Sequence, residues 1–118
     1  LTFIGGNATF YSVCTFGKVV MDKDSGASLT IANSGDIIVT NSLTFTSGIF
    51  NTSTQGTLIT NCNVTVSAGT DCDNPISYVN GPFGRNLCTT TPTNIFFPIG
   101  KGGNYRPTWL KPTQTTNA

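Results

Sequence analysis

Apolar side chains alternate with polar ones along most of this chain, and helical spacing is absent almost everywhere. Leu1 to Ile4 reads as a short strand, and the Gly5-Gly6-Asn7 turn comes after it. Ala8 to Val13 and Lys18 to Met21 read as further strands, before the turn sequence Asp22-Lys23-Asp24-Ser25-Gly26. Ser28 to Ile31, Asp36 to Thr40, Ser42 to Thr46, Ile49-Phe50, Thr57 to Thr60 and Asn63 to Ser67 continue the pattern. The segments are short, and Asn, Ser, Gly and Asp fill the gaps between them.

A partial internal repeat underlies this rhythm. Asp36 to Gly56 overlays Thr57 to Ser77, which sets Ile37-Ile38 on Leu58-Ile59, Leu43-Thr44-Phe45 on Val64-Thr65-Val66, and Gly48 on Gly69. Repeats of this length point to a solenoid, in which equivalent strands stack and bury Leu, Ile, Val and Phe inside. All six prolines lie from Pro75 onward. Proline cannot donate in a sheet ladder and belongs to edges, bulges and turns. Residues 1–74 are therefore expected to form solenoid-like rungs. Residues 75–118 are expected to form a Pro-punctuated cap or the start of a β-sandwich, with strands at Ile95 to Phe97 and Tyr105 to Leu110 and a flexible tail. The alternative fold is a β-sandwich filament subunit completed by a neighbour's strand.

Composition supports an all-β fold. Only 9% of the 118 residues are charged, and neither Glu nor His occurs, whereas soluble domains average about 25% charged residues. Thr, Ser, Asn and Gly take the place of the straight-chain helix formers. The net charge of +1 gives no reason to expect nucleic acid. No run approaches the length of a membrane span. The chain opens directly on a strand, which suggests a processed or excised part of a longer protein. Cys14, Cys62, Cys72 and Cys88 fit disulfides in an oxidising compartment, with three pairings open. With no CxxC and no His, neither a zinc site nor a Cys–His nucleophile is expected.

The phrases Ile76-Ser77-Tyr78-Val79-Asn80-Gly81-Pro82, Arg85, Phe96-Phe97-Pro98-Ile99-Gly100-Lys101 and Tyr105-Arg106-Pro107 come after the rung phrase Leu43 to Asn51. In this order they resemble a junction in large secreted surface proteins of Bacteroidota, where stacked β-rungs end and lead into a β-sandwich. The resemblance implies a secreted or cell-surface, adhesin-like chain without catalytic activity. Here the chain stops soon after Pro107, so most of the sandwich beyond the junction is missing.

Candidate chemistry is sparse. Asp22-x-Asp24 and Asp71-x-Asp73 are candidate Ca²⁺ ligands, since that ion takes several carboxylate and carbonyl oxygens. The plainer reading is that these aspartates form turns. No other cofactor is expected. Tyr105, Arg106 and Trp109 are a candidate contact for glycans or a protein partner. Their plainer reading is a strand whose alternate residues pack inward while Arg106 points out. Thr44-x-Thr46 and Thr52-x-Thr54 raise an ice-binding ladder, but only if successive coils repeat the pair. N-x-[ST] matches at Asn7, Asn51 and Asn63 are frequent by chance in so Asn- and Thr-rich a chain.

The function expected is a non-catalytic structural or adhesive segment of a secreted bacterial surface protein or filament. Its partners would be neighbouring domains, copies of itself, or surface glycans. A polysaccharide-binding or polysaccharide-acting β-helix protein and an ice-binding module are the alternatives.

Overall fold

A computed structural model describes residues 1–32, 34–53, 55–68, 77–87 and 94–112. They form an all-β solenoid of about 3 turns without a helix. The strands in chain order are β1 (Thr2–Gly5), β2 (Ala8–Phe10), β3 (Thr15–Lys23), β4 (Ser28–Ile31), β5 (Ile37–Asn51), β6 (Leu58–Thr60), β7 (Thr65–Ser67), β8 (Ser77–Asn80), β9 (Phe83–Arg85), β10 (Ile95–Phe97), β11 (Ile99–Lys101), β12 (Asn104–Tyr105) and β13 (Thr108–Leu110). The expected boundary at residue 74 lies outside the described residues. Parallel stacking continues past the first prolines, because β8 pairs with β5, β9 with β6 and β11 with β8.

Three faces make up the coil. The first stacks the start of β3, the start of β5, β6 and β9. The second stacks β1, the rest of β3, the middle of β5, and β7. The third stacks β2, β4, the end of β5, β8 and β11. One strand, β5, thus passes through all three faces. It carries extra residues relative to β3 between Val39 and Ser42 and between Phe45 and Ser47. Such bulges bend a strand, and here they fall where the face changes.

Alternation along each strand sends every second side chain into the coil, and parallel register piles equivalent residues into columns. On the third face the inward column runs Ala8, Leu29, Phe50, Val79, Ile99. On the second, Phe3, Met21 and Phe45 form one column and Val19, Leu43 and Val66 another. Ile37, Leu58 and Phe83 form a column on the first. Val19, Met21, Leu43, Phe50, Leu58 and Val79 are fully buried. Burying an apolar side chain of this size is worth about 1.5–3 kcal/mol, so the columns are the dominant stabilising element.

One outward column on the third face, Thr30, Asn51 and Asn80, is polar. Asn80 Nδ2 donates to Asn51 Oδ1 (3.0 Å), and Asn51 Nδ2 donates to Thr30 Oγ1 (3.3 Å). A second pair, Asn86 Nδ2 to Asn61 Oδ1, sits at a corner of the coil (3.3 Å). These ladders satisfy side-chain amides along the stacking direction without charge, so rungs can repeat without like-charge repulsion.

The register refines the 21-residue repeat. Ile37 and Ile38 do pair with Leu58 and Ile59, as the overlay predicts. On the next face the offset grows to 23, with Leu43 opposite Val66 and Ser42 opposite Thr65. The corner Asn61 to Val64 is two residues longer than Thr40-Asn41, and it holds Asn63 at φ 67°. Asparagine tolerates that left-handed conformation better than most residues.

Candidate functional site

The most organised polar region is the closed end of the coil, where the junction phrases converge. Arg85 ends the inward column Phe16, Val39, Thr60. Its guanidinium is half-buried and reaches three separate segments. Nε donates to Thr60 Oγ1 (3.3 Å), Nη1 to the Phe96 carbonyl (2.9 Å) and Nη2 to the Val64 carbonyl (2.7 Å). Burial lowers its pKa from the ordinary value by penalising the charged form. The fork geometry of Arg suits this task, because one planar group can bond in three directions. Arg85 therefore ties the last rung, the Asn61 to Val64 corner and β10 together.

Tyr78 points away from the coil interior, yet it is only 2% exposed. The hairpin of β11 and β12 folds over it. Tyr105 stacks on its ring at 6.0 Å, and the Gly103 N–H donates to its hydroxyl at 3.1 Å. Gly100 permits this approach, since a Cβ there would lie 2.6 Å from Tyr78 Cδ2 and 2.5 Å from the Asn104 carbonyl oxygen. Beside it, Phe83 meets Phe97 edge-on at 5.8 Å, and Phe96 packs on Trp109 at 4.9 Å across the β10–β13 pair.

A shallow groove of about 320 Å³ opens on this cap, lined by Asn80, Gly81, Ile99, Gly100, Lys101 and Arg106. Lys101 and Arg106 are exposed and bring two cations to it with no acidic side chain in the lining. The Arg106 backbone is fixed by its N–H bond to the Ile99 carbonyl (2.8 Å). Asn80, also in the lining, donates a side-chain amide hydrogen to Asn51. Most of the surface lining the groove is apolar, with the two exposed cations beside it.

The three aromatic–basic candidates part company. Tyr105 is buried under the cap, Arg106 lines the groove, and Trp109 is 48% exposed on the β10–β13 pair. Asp22 lies within β3, opposite Ile4 and Ser47, and its carboxylate accepts the Ser47 hydroxyl (3.4 Å). Asp24 is exposed in the turn closed by the Ala27 N–H to Asp24 carbonyl bond. Asp71 and Asp73 lie outside the described residues. Among the described residues no three His, Cys, Asp or Glu side chains gather as a metal site. Cys62 is disulfide-bonded and Cys14 is a free thiol, while Cys72 and Cys88 lie outside the described residues. The Thr44-x-Thr46 pair is not repeated from coil to coil. Thr44 stands between Val20 and Ser67, and Thr65 faces Ser42. Thr54 of the second pair lies outside the described residues.

No protein-family profile, curated protein or solved structure matches the chain.

Two residues escape sequence reasoning. Lys23 sits in a stretch that reads as a turn, but it is a buried strand residue whose Nζ donates to the Ile4 carbonyl (3.1 Å). Gly48 makes room for it, since a Cβ there would lie 2.8 Å from Lys23 Cβ. Arg85 enters the sequence reading only within the junction phrases; its three partners reveal its role as a clamp.

Proposed function

We propose that this chain is a non-catalytic structural and adhesive segment of a secreted bacterial surface protein. The observation that carries the reading is a rigid column of rungs, closed at one end by a cap that displays a cationic groove. Parallel rungs locked by apolar columns give a stiff spacer. The outward faces carry few charges and mix Thr, Ser and Asn with Ile38, Ile49 and Ile59, which suits repetition along an extended surface protein. The junction phrases that resemble those of Bacteroidota surface proteins meet in the cap, in keeping with an end that joins a coil to a neighbouring domain.

Adhesion is assigned to the groove. Lys101 and Arg106 supply donors for an acidic group, with Asn80 beside them in the lining. A glycan array that includes uronic-acid, sulfated and neutral glycans tests this directly. Acidic glycans should be retained, and Lys101→Ala with Arg106→Ala should abolish retention while leaving the melting temperature unchanged. Equal retention by the double variant, or binding to neutral glycans alone, would overturn the assignment. Turnover of any of these glycans by the purified chain would overturn the non-catalytic part.

A further inference from the structure

The outward column Thr30, Asn51, Asn80 contains the only position in the sequence where asparagine precedes glycine, Asn80-Gly81. Such a dipeptide is chemically labile, because a glycine without a Cβ lets its backbone nitrogen approach the preceding side-chain amide carbon. The packing nevertheless calls for both residues. Gly81 adopts φ +127°, and a Cβ there would lie 2.4 Å from the Thr52 carbonyl oxygen. Asn80 continues the amide ladder, its Nδ2 donating to Asn51 Oδ1 at 3.0 Å.

The fold draws the two reacting groups apart. β8 lies between β5 and β11 in the stack. The bond to Asn51 holds the Asn80 side-chain amide toward β5. The Asn80 backbone carbonyl faces β5 as well, where it accepts from the Thr52 N–H at 3.0 Å. In a trans peptide the N–H lies opposite the carbonyl. The Gly81 N–H therefore points the other way, toward β11, where Gly100 stands opposite Asn80. For the Gly81 nitrogen to reach Asn80 Cγ, the amide has to leave Asn51 and the peptide has to turn out of the ladder.

We propose that Asn80 is a deamidation site whose rate is set by the ladder from Asn80 through Asn51 to Thr30. In the reaction the Gly81 nitrogen gives up its proton and bonds to Asn80 Cγ, the Cγ–Nδ2 bond breaks, and ammonia departs. Water then opens the succinimide ring at either carbonyl and leaves aspartate or isoaspartate. Asn80 and Gly81 both line the groove on the cap, which gives that water access. The new carboxylate has no hydrogen to donate to Asn51 Oδ1, so the ladder loses this bond. It also brings a negative charge into the lining that holds Lys101 and Arg106. Isoaspartate lengthens the main chain immediately before Gly81, at the close contact with Thr52.

Incubation of the 118-residue chain in mildly alkaline buffer, native and in urea, tests the proposal, with Asn80 followed by peptide mapping and mass spectrometry. In urea Asn80 should convert before any other asparagine. The native chain should convert it at least about a hundredfold more slowly, since ring closure awaits local opening. Asn51→Ala removes the acceptor and should speed native conversion about two- to tenfold, the worth of one hydrogen bond. Asn51→Asp keeps an acceptor oxygen for Asn80 Nδ2 and should restore the slow rate. Asn61→Ala breaks the separate bond from Asn86 and should leave the rate at Asn80 unaltered. Circular dichroism verifies that each variant is folded, and in urea all should convert Asn80 alike. Equal rates in the native and unfolded chain, another asparagine converting first in urea, no acceleration in Asn51→Ala, or the same acceleration in Asn61→Ala would overturn the proposal.

Discussion

Replacing Arg85 by Ala should loosen the cap far more than removing an ordinary surface cation. The side chain makes three hydrogen bonds, to Thr60 Oγ1 and to the Val64 and Phe96 carbonyls. Bonds to a charged group contribute about 1.5–3 kcal/mol each. The guanidinium is only half-buried, so water replaces part of what is lost, and the three do not add in full. A loss of about 2–4 kcal/mol is the result, against about 0.5 kcal/mol for surface substitutions remote from any such feature. Arg85→Lys should recover roughly one bond's worth, because a single ammonium cannot reach three directions. Urea unfolding monitored by circular dichroism reads the difference as a lower midpoint. Hydrogen exchange should show β10 and the Asn61 to Val64 corner opening first. The lowered pKa sets the sign of the pH dependence. The unfolded chain holds the proton more tightly than the folded one, so stability from this group rises only as pH climbs into the alkaline titration range of arginine. The Ala-minus-wild-type difference should therefore be flat between about pH 5 and 9, where Arg is charged in both states. A loss below about 0.5 kcal/mol, or a difference that changes across that window, would refute the clamp.

Phe50→Ala removes the centre of the longest inward column and should cost about 3–5 kcal/mol, whereas Phe50→Leu should cost less than about 1.5 kcal/mol; chemical denaturation of both variants checks the ratio. Gly100→Ala places a methyl group against Tyr78 and the Asn104 carbonyl, and should lower stability by about 1–3 kcal/mol through overpacking. Differential scanning calorimetry reads this as a lower melting temperature.

Strand positions were legible wherever one face meets the core and the other meets water. Ser28 to Ile31 and Leu43 to Phe45 alternate cleanly because their partners above and below are strands of the same polarity. The first-face register was legible too, since Ile37-Ile38 and Leu58-Ile59 both open a rung. Register on the second face was not, because it depends on how many residues a corner holds, and corner length leaves no apolar signature. Lys23 misleads for a different reason. Its neighbours Asp22 and Asp24 suggest a turn, and its burial depends on Gly48 one rung away. Tyr78 and Arg85 are likewise set by the cap, whose strands come from well beyond them in the chain, as Tyr105 on Tyr78 and Phe96 on Arg85 illustrate. The phrases between Ile76 and Pro107 contact one another in ways that emerge only in three dimensions.

The central claim is that equivalent apolar side chains sit directly above one another on parallel rungs. Nuclear Overhauser contacts in the labelled protein test it most directly. Leu29 should contact Phe50, Phe50 should contact Val79, and Val79 should contact Ile99, with no close Hα–Hα contacts between β3, β4 and β5. Strong Hα–Hα contacts between those strands, the mark of antiparallel pairing, would contradict the account.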